Sequence, residues 1–234
     1  DGVRTGMLST PLRKKEANLM DAKYWIEAAD PQHRYGHELV PYYKVWLHSG
    51  TAEGFFKWLD AGEGKDLDLA SAGHPRAKLV MSSVLYCNES QRKEYLVDIR
   101  DGLLYWHETG ELVNTNQPGR CGLDLRYRYM GLPCKYIYVV DLHNKLYVAR
   151  KRKGHFHHSS FLGARPVRAA GGMIVRDGQL LVINASSGHY KPTAKMLDGT
   201  LKMFEDMYGL SRDSGYVKVY PSTRRILGKI EVPA

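Results

Sequence analysis

An α+β fold is predicted by three features of this 234-residue chain. Residues 1–94 carry apolar side chains mostly at helical spacing, residues after 95 carry three hairpin signals, and a helical repeat returns at 192–208. The length suits one domain, with an antiparallel sheet built from three hairpins between N-terminal helices and one C-terminal helix.

The elements follow in order. Leu12, Leu19, Met20, Trp25 and Ile26 predict a helix over Leu12–Ala29, opened by Ser9-Thr10-Pro11 and ended at Asp30-Pro31. Tyr42, Tyr43, Val45 and Trp46 give an aromatic face to a helix over Glu38–Leu47. A short helix is expected to begin at Thr51-Ala52-Glu53 and to end in Phe55, Phe56, Trp58 and Leu59 before Gly62 and Gly64. Leu79, Val80, Val84 and Leu85 predict the buried side of a helix over Arg76–Tyr86.

The pattern then changes. Asp101-Gly102 separates Tyr95–Ile99 from Leu103–Trp106, and Gly accepts the positive φ of a two-residue turn. His143-Asn144 separates Tyr136–Val140 from Leu146–Val148, and Asp177-Gly178 separates Met173–Val175 from Leu180–Ile183. Asn114–Arg120 reads as a loop. Met196, Leu197, Leu201, Phe204 and Tyr208 recur at helical spacing over Pro192–Tyr208, which Gly209 ends. Tyr216–Tyr220 reads as a last strand.

Composition limits the function classes. Hydrophobic residues at 43% and charged residues at 25% describe a globular chain, which excludes disorder as the main state. No apolar run approaches the ~18–20 residues of a membrane span. The net charge of +9 suits an anionic partner, and much of it lies in Arg150-Lys151-Arg152-Lys153, which equally suits a solvated loop. No nucleic-acid signature accompanies it, so nucleic acid is a disfavoured partner. Cys87, Cys121 and Cys134 are an odd count without tight spacing, which points to a reducing, intracellular compartment, cytoplasm or nucleus. The chain opens on Asp1 and is read as a piece of a longer protein.

Two polar strings are the candidate site. Gly154-His155-Phe156-His157-His158-Ser159-Ser160-Phe161 offers imidazoles and hydroxyls to a metal, a phosphate or a nucleophile. Adjacent His157 and His158 point apart on an extended chain, so no metal site is assigned; the bland alternative is a surface loop with one buried His. Ser186-Ser187-Gly188-His189-Tyr190-Lys191-Pro192 lies between a strand and a helix, where free backbone N–H groups suit an anion. Ser187 can equally cap the local turn, with His189 bracing it. If the strings meet, His158, Ser159, Ser160, His189 and Tyr190 form the reactive set. Arg150, Lys151, Ser187 and Gly188 then hold an anionic group. Asp60–Asp68 contains a GxGK string without the P-loop frame and is read as an acidic turn pairing with the basic run. His33–His37 is read as capping and packing residues.

Several strings resemble a known family. They are Trp25-Ile26-Glu27-Ala28, Asp30–His37, Tyr42–Trp46, Phe55–Asp60 with Gly62–Asp66, and Leu146–Val148 leading to Lys153-Gly154. His158–Leu162, Ala169-Ala170-Gly171, and Ser187-Gly188-His189-Tyr190 with Pro192 complete the set. In order and spacing, over about Trp25 to Leu210, they resemble the IQ motif-containing calmodulin-binding proteins, the IQM family of plants; a fungal relative also fits. The resemblance implies calcium-linked signalling, a role in stress response, and an IQ helix that binds calmodulin. Its Gln-plus-basic pattern is found neither in the opening segment nor at Ser90–Glu94, so calmodulin is expected to bind a flanking segment outside this chain. The reading that follows is a regulatory domain that binds a further, unidentified protein partner. The alternative is a calmodulin-regulated transferase, ADP-ribosyltransferase-like, acting on a nucleotide or phosphate-bearing substrate. No cofactor is indicated by the residues.

Overall fold

A computed structural model describes residues 17–115, 136–210 and 218–220. Six α-helices and seven strands occur among them: α1 (Trp25–Ala29), α2 (Gly36–His48), α3 (Phe55–Asp60), α4 (Arg76–Met81), β1 (Leu96–Arg100), β2 (Leu103–Trp106), β3 (Tyr136–Val140), β4 (Leu146–Arg150), α5 (His158–Leu162), β5 (Ala169–Arg176), β6 (Gln179–Asn184), α6 (Ala194–Tyr208) and β7 (Lys218–Tyr220). The class is α+β. The strands form one sheet in the order β2-β1-β4-β3-β5-β6-β7, antiparallel through β6, with β7 added parallel to β6. No helix among the described residues is long and apolar enough to cross a membrane.

The three hairpins stand where their turns predict them. Asp101, Asn144 and Asp177 take positive φ, and Gly102 and Gly178 follow the two aspartates in the same region. At the second turn, Asp141 Oδ1 accepts from His143 N and Lys145 N at 2.8 and 2.9 Å. The sheet curls. Leu104 N donates to Gly178 O, Gly178 N to Val113 O, and Thr115 N to Val175 O, which brings β2 to the β5–β6 turn.

Curling gives the sheet two unlike faces. The inner face, with Tyr136, Tyr138, Val140, Val148 and Ile183, closes on Leu197, Leu201 and Phe204 of α6. The outer face, with Ile137, Val139, Tyr147 and Ala149, packs on Phe156, Phe161, Leu162, Tyr24 and Tyr190. Because both faces are covered, every residue of β3 is buried, and its sequence is a continuous apolar run. A third cluster, with Leu39, Tyr42, Trp58, Leu59 and Leu79, joins α2, α3 and α4. That corner is pinned by Arg34, whose buried guanidinium binds both oxygens of Asp30, at 2.7 and 3.0 Å, and both oxygens of Asp60. Asp60 thus pairs with Arg34, and more distantly with Arg76 at 3.9 Å, rather than with the basic run.

Three helices and one loop differ most from expectation. The helix expected over Leu12–Ala29 is reduced to a 3₁₀ turn at Ala22–Tyr24 followed by α1; residues 12–16 lie outside the described residues. Asn18 forms a β-bridge with Val167, and its amide donates to the Arg168 carbonyl, so the chain there is held extended. The helix over Arg76–Tyr86 stops at Met81, because the following segment gives its backbone to other partners: Val84 N to His33 O, Leu85 N to His155 O and Cys87 N to Ser160 O. Val80 and Met81 are consequently exposed. The Thr51–Leu59 helix begins only at Phe55, after Gly54. Residues 154–161 are not a surface loop: they include α5, buried along its whole length.

Candidate functional site

The two polar strings meet, and they meet around a carboxylate that sequence reading did not select. Glu27 of α1 is fully buried. Its Oε1 accepts from Tyr86 Oη at 3.0 Å and from Ser159 Oγ at 3.3 Å, and its Oε2 accepts from Gly36 N at 2.9 Å. His189 Nε2 lies 3.7 Å from Oε1, beyond hydrogen-bond length. Four chain segments therefore converge on one side chain: α1, the start of α2, the extended segment after α4, and α5. Gly36 eases the approach, since a Cβ there would sit a tight 3.1 Å from the Tyr24 ring and 3.4 Å from the Glu27 Cβ.

The first string supplies α5 and its cap. His157 precedes the helix with an extended backbone. Its N–H donates to Ser160 Oγ at 2.9 Å, and its Nε2 accepts from Gly154 N at 2.9 Å. The neutral ring therefore carries its proton on Nδ1. Burial first, then the neighbouring His189, Lys151, His158 and His155, push its pKa down to about 2. His158 Nε2 donates to Gly171 O of β5 at 2.9 Å. Only glycine fits at 171, because a Cβ would fall 1.7 Å from the Asn184 carbonyl oxygen.

The second string closes the cluster from the other side. The His189 ring stacks on Tyr24 at 3.9 Å, tilts against His157 at 5.2 Å, and is 3% exposed. Tyr190 Oη donates to Arg165 O at 2.8 Å. Ser187 Oγ accepts from Tyr190 N at 3.3 Å, a local turn, and Gly188 is exposed beside the Tyr24 hydroxyl. This turn is not the start of α6, whose cap is Thr193, with its side chain accepting from Met196 N. Burial, reinforced by Glu27, raises the pKa values of Tyr86, Tyr190 and Tyr24, which stay protonated donors. Arg150 ends β4 opposite Tyr136, and Lys151, half-buried, is near enough to act on His157.

The geometry decides what the cluster can do. A nucleophilic serine gives its proton to an imidazole that a third group orients. Here Ser159 donates to a carboxylate, Ser160 accepts from backbone, and His189 hydrogen-bonds to neither hydroxyl. His158, Ser159, Ser160 and Glu27 are each at most 2% exposed. A groove of about 870 Å³ lies elsewhere, beside β1 and β4, with Arg92, Lys93, Asp98, His107 and Lys145 among its walls and none of the expected site residues. The Cys87 thiol, also buried, is pushed up to about 11 by that burial, which suits an inert packing residue.

Residues 91–197 match the family model of the IQ motif-containing protein middle domain. IQ domain-containing protein IQM3 of Arabidopsis thaliana is 40% identical over 183 residues, which cover 78% of this chain and 37% of that protein. IQM2 of the same plant is 39% identical over 178 residues, covering 76% of this chain and 27% of that protein. This chain belongs to the IQM family. IQM4 extends the similarity to 87% of this chain, at 36% identity and 35% of its own length. The chain thus spans about a third of the curated IQM proteins it matches. No solved structure matches it. Glu27, the carboxylate missed as a site residue, lies in one of the strings that carry the IQM resemblance. The signal for it was a lone charge inside the apolar run Trp25–Ala29.

Proposed function

We propose that this domain is the folded middle module of a calmodulin-linked regulatory protein, and that it binds a protein partner while an IQ helix elsewhere in the full chain reports calcium. The observation that carries the reading is the packing of the Glu27 node: the fully buried carboxylate is met by two hydroxyls and a backbone N–H from three other segments, as suits a rigid scaffold. Family membership supports the calmodulin link, since the relatives are named for an IQ domain. Calmodulin grips a basic amphipathic helix, apolar along one face. Such a role belongs inside the cell, in cytoplasm or nucleus.

A ligand that binds only the folded state raises its melting temperature by mass action. The test compares this chain with a longer form carrying native flanks, by differential scanning fluorimetry against calmodulin with and without calcium. The expected result is a calmodulin-dependent shift in the longer form and none in this chain. Tight binding by this chain alone would overturn the assignment of calmodulin to a flank.

One observation favours the transferase reading as a second choice. Glu27 supplies an acidic group within 3.3 Å of Ser159 and 3.7 Å of His189, a partner that catalysis at the two strings requires. A melting-temperature shift with a nucleotide such as NAD, lost in His189→Ala, would move that reading ahead of the scaffold.

A further inference from the structure

A second histidine–carboxylate cluster lies at the start of α2, apart from the Glu27 node. His37 and Glu38 occupy the first turn of that helix, and His74 comes from the Leu69–His74 bridge that precedes α4. One ligand atom from each of the three side chains lies within 4.8 Å of the other two. Glu38 Oε2 accepts from His74 Nδ1 at 2.9 Å, and the His37 and His74 rings meet edge to face with centroids 5.4 Å apart. We propose that His37, Glu38 and His74 form a binding site for a divalent transition metal of the zinc class.

Three arguments carry it. The first is the donor set. Two imidazoles and one carboxylate suit Zn²⁺, whereas Ca²⁺ and Mg²⁺ prefer oxygen ligands alone. The second is geometry. Ligands held about 2.0–2.2 Å from a tetrahedral ion lie roughly 3.3 Å apart. The Glu38–His74 pair, in direct hydrogen bond at 2.9 Å, needs to open by only about 0.4 Å to reach it. The third donor, on exposed His37, closes the set by a side-chain rotation. Lys78 Nζ, 2.7 Å from Glu38 Oε1, engages the other oxygen and leaves Oε2 to the site.

The third argument is space. A cavity of about 160 Å³ is lined by Tyr24, Gly36, His37, Val40, Pro41 and His74, so both imidazoles border a void. With three protein ligands, two of them bordering the void, the fourth position of a tetrahedral ion falls to water or a small anion. On binding, the ion takes the place of the Nδ1 proton of His74 as the partner of Glu38, and the neutral ring carries its one proton on Nε2 instead. The cavity shares Tyr24 and Gly36 with the surroundings of Glu27, so metal uptake would stiffen the wall of the buried node.

The experiment titrates the tag-free chain with Zn²⁺ against a chromophoric chelator, and separately with Co²⁺, whose visible absorption distinguishes tetrahedral from octahedral coordination. The expected result is uptake of one equivalent, with Co²⁺ giving the intense tetrahedral bands. Losing an outer-shell partner typically costs about 10- to 100-fold in metal affinity, so His37→Ala and His74→Ala should each cost about 100-fold or more. His48→Ala, at an exposed histidine outside the cluster, should change nothing. His37 is exposed, so its variant keeps the fold and the test stays decisive even if His74→Ala does not fold. No stoichiometric uptake, weak octahedral bands only, or uptake undiminished in His37→Ala would each overturn the proposal.

Discussion

Two glutamates of the helical part, Glu27 and Glu38, are equally buried, yet their partners differ. Glu27 is met by neutral donors, two hydroxyls and a backbone N–H, of which those of Ser159 and Gly36 are buried and that of Tyr86 is half-buried. Glu38 is met by Lys78 and His74, which are 44% and 21% exposed at the side chain. Burial pushes the Glu38 carboxyl up, but hydrogen bonds from Lys78 and His74 prevail and hold it below the usual range. A ring of neutral donors makes a closed staple between layers. A pair of basic, half-open partners makes a site that can exchange one of them for an ion.

The largest expected effect tests that contrast. Glu27→Ala would remove the acceptor of the buried Ser159 hydroxyl and Gly36 N–H and of the half-buried Tyr86 hydroxyl. Each such group costs about 1–3 kcal/mol, so the loss should be roughly 3–5 kcal/mol. Glu38→Ala should cost only about 1–2 kcal/mol, because Lys78 and His74 can turn to water. Urea denaturation midpoints would measure both. Glu27→Gln, which keeps the shape and one acceptor, should fall between wild type and Glu27→Ala. Equal losses at the two glutamates would break the comparison.

The next effect depends on pH. His157 is held neutral in the folded state down to about pH 2, whereas an unfolded imidazole binds its proton near 6.5. Between those values the unfolded state holds the extra proton, so its contribution to stability is complete above 6.5 and is lost as pH falls. The slope from one proton is about 1.4 kcal/mol per pH unit. His157→Phe keeps a ring against Tyr35, which stacks there at 4.6 Å, but removes the titration. Its stability should therefore fall less steeply with acid, by up to one proton's slope, in denaturation series between neutral and mildly acidic pH. An unchanged slope would mean that water reaches this histidine.

These two nodes also mark what the sequence could convey. The hairpin turns were legible because Asp-Gly and His-Asn impose their own backbone geometry. The density of polar residues marked the two strings, but their meeting, through His157 and Ser159 with His189, comes only from the fold. Glu27 was not legible, because a single carboxylate in a five-residue helix has no spacing to read, and its partners come from far along the chain. Helix α5 was missed for the same reason of length, and α4 was overextended because the apolar run continues while the backbone turns extended. Attention to His155 and His157 overlooked His37, Glu38 and His74, which only the fold brings together.

The smallest expected effect separates scaffold from catalyst at the Glu27 node itself. Ser159→Ala removes one long hydrogen bond, 3.3 Å, and leaves Glu27 with Tyr86 and Gly36. As a scaffold residue it should cost about 1 kcal/mol, less than the roughly 2 kcal/mol expected for Tyr86→Phe at 3.0 Å. Combined with Glu27→Gln, the two losses should fail to add by about 0.5–1 kcal/mol, since both act on one bond. Hydroxyls kept for reaction with a substrate are instead often costly to stability, and their removal raises it. Stabilisation by Ser159→Ala would therefore reopen the transferase reading that the closed geometry argues against, whereas a small, coupled loss would tie Ser159 to the same structural task as Tyr86.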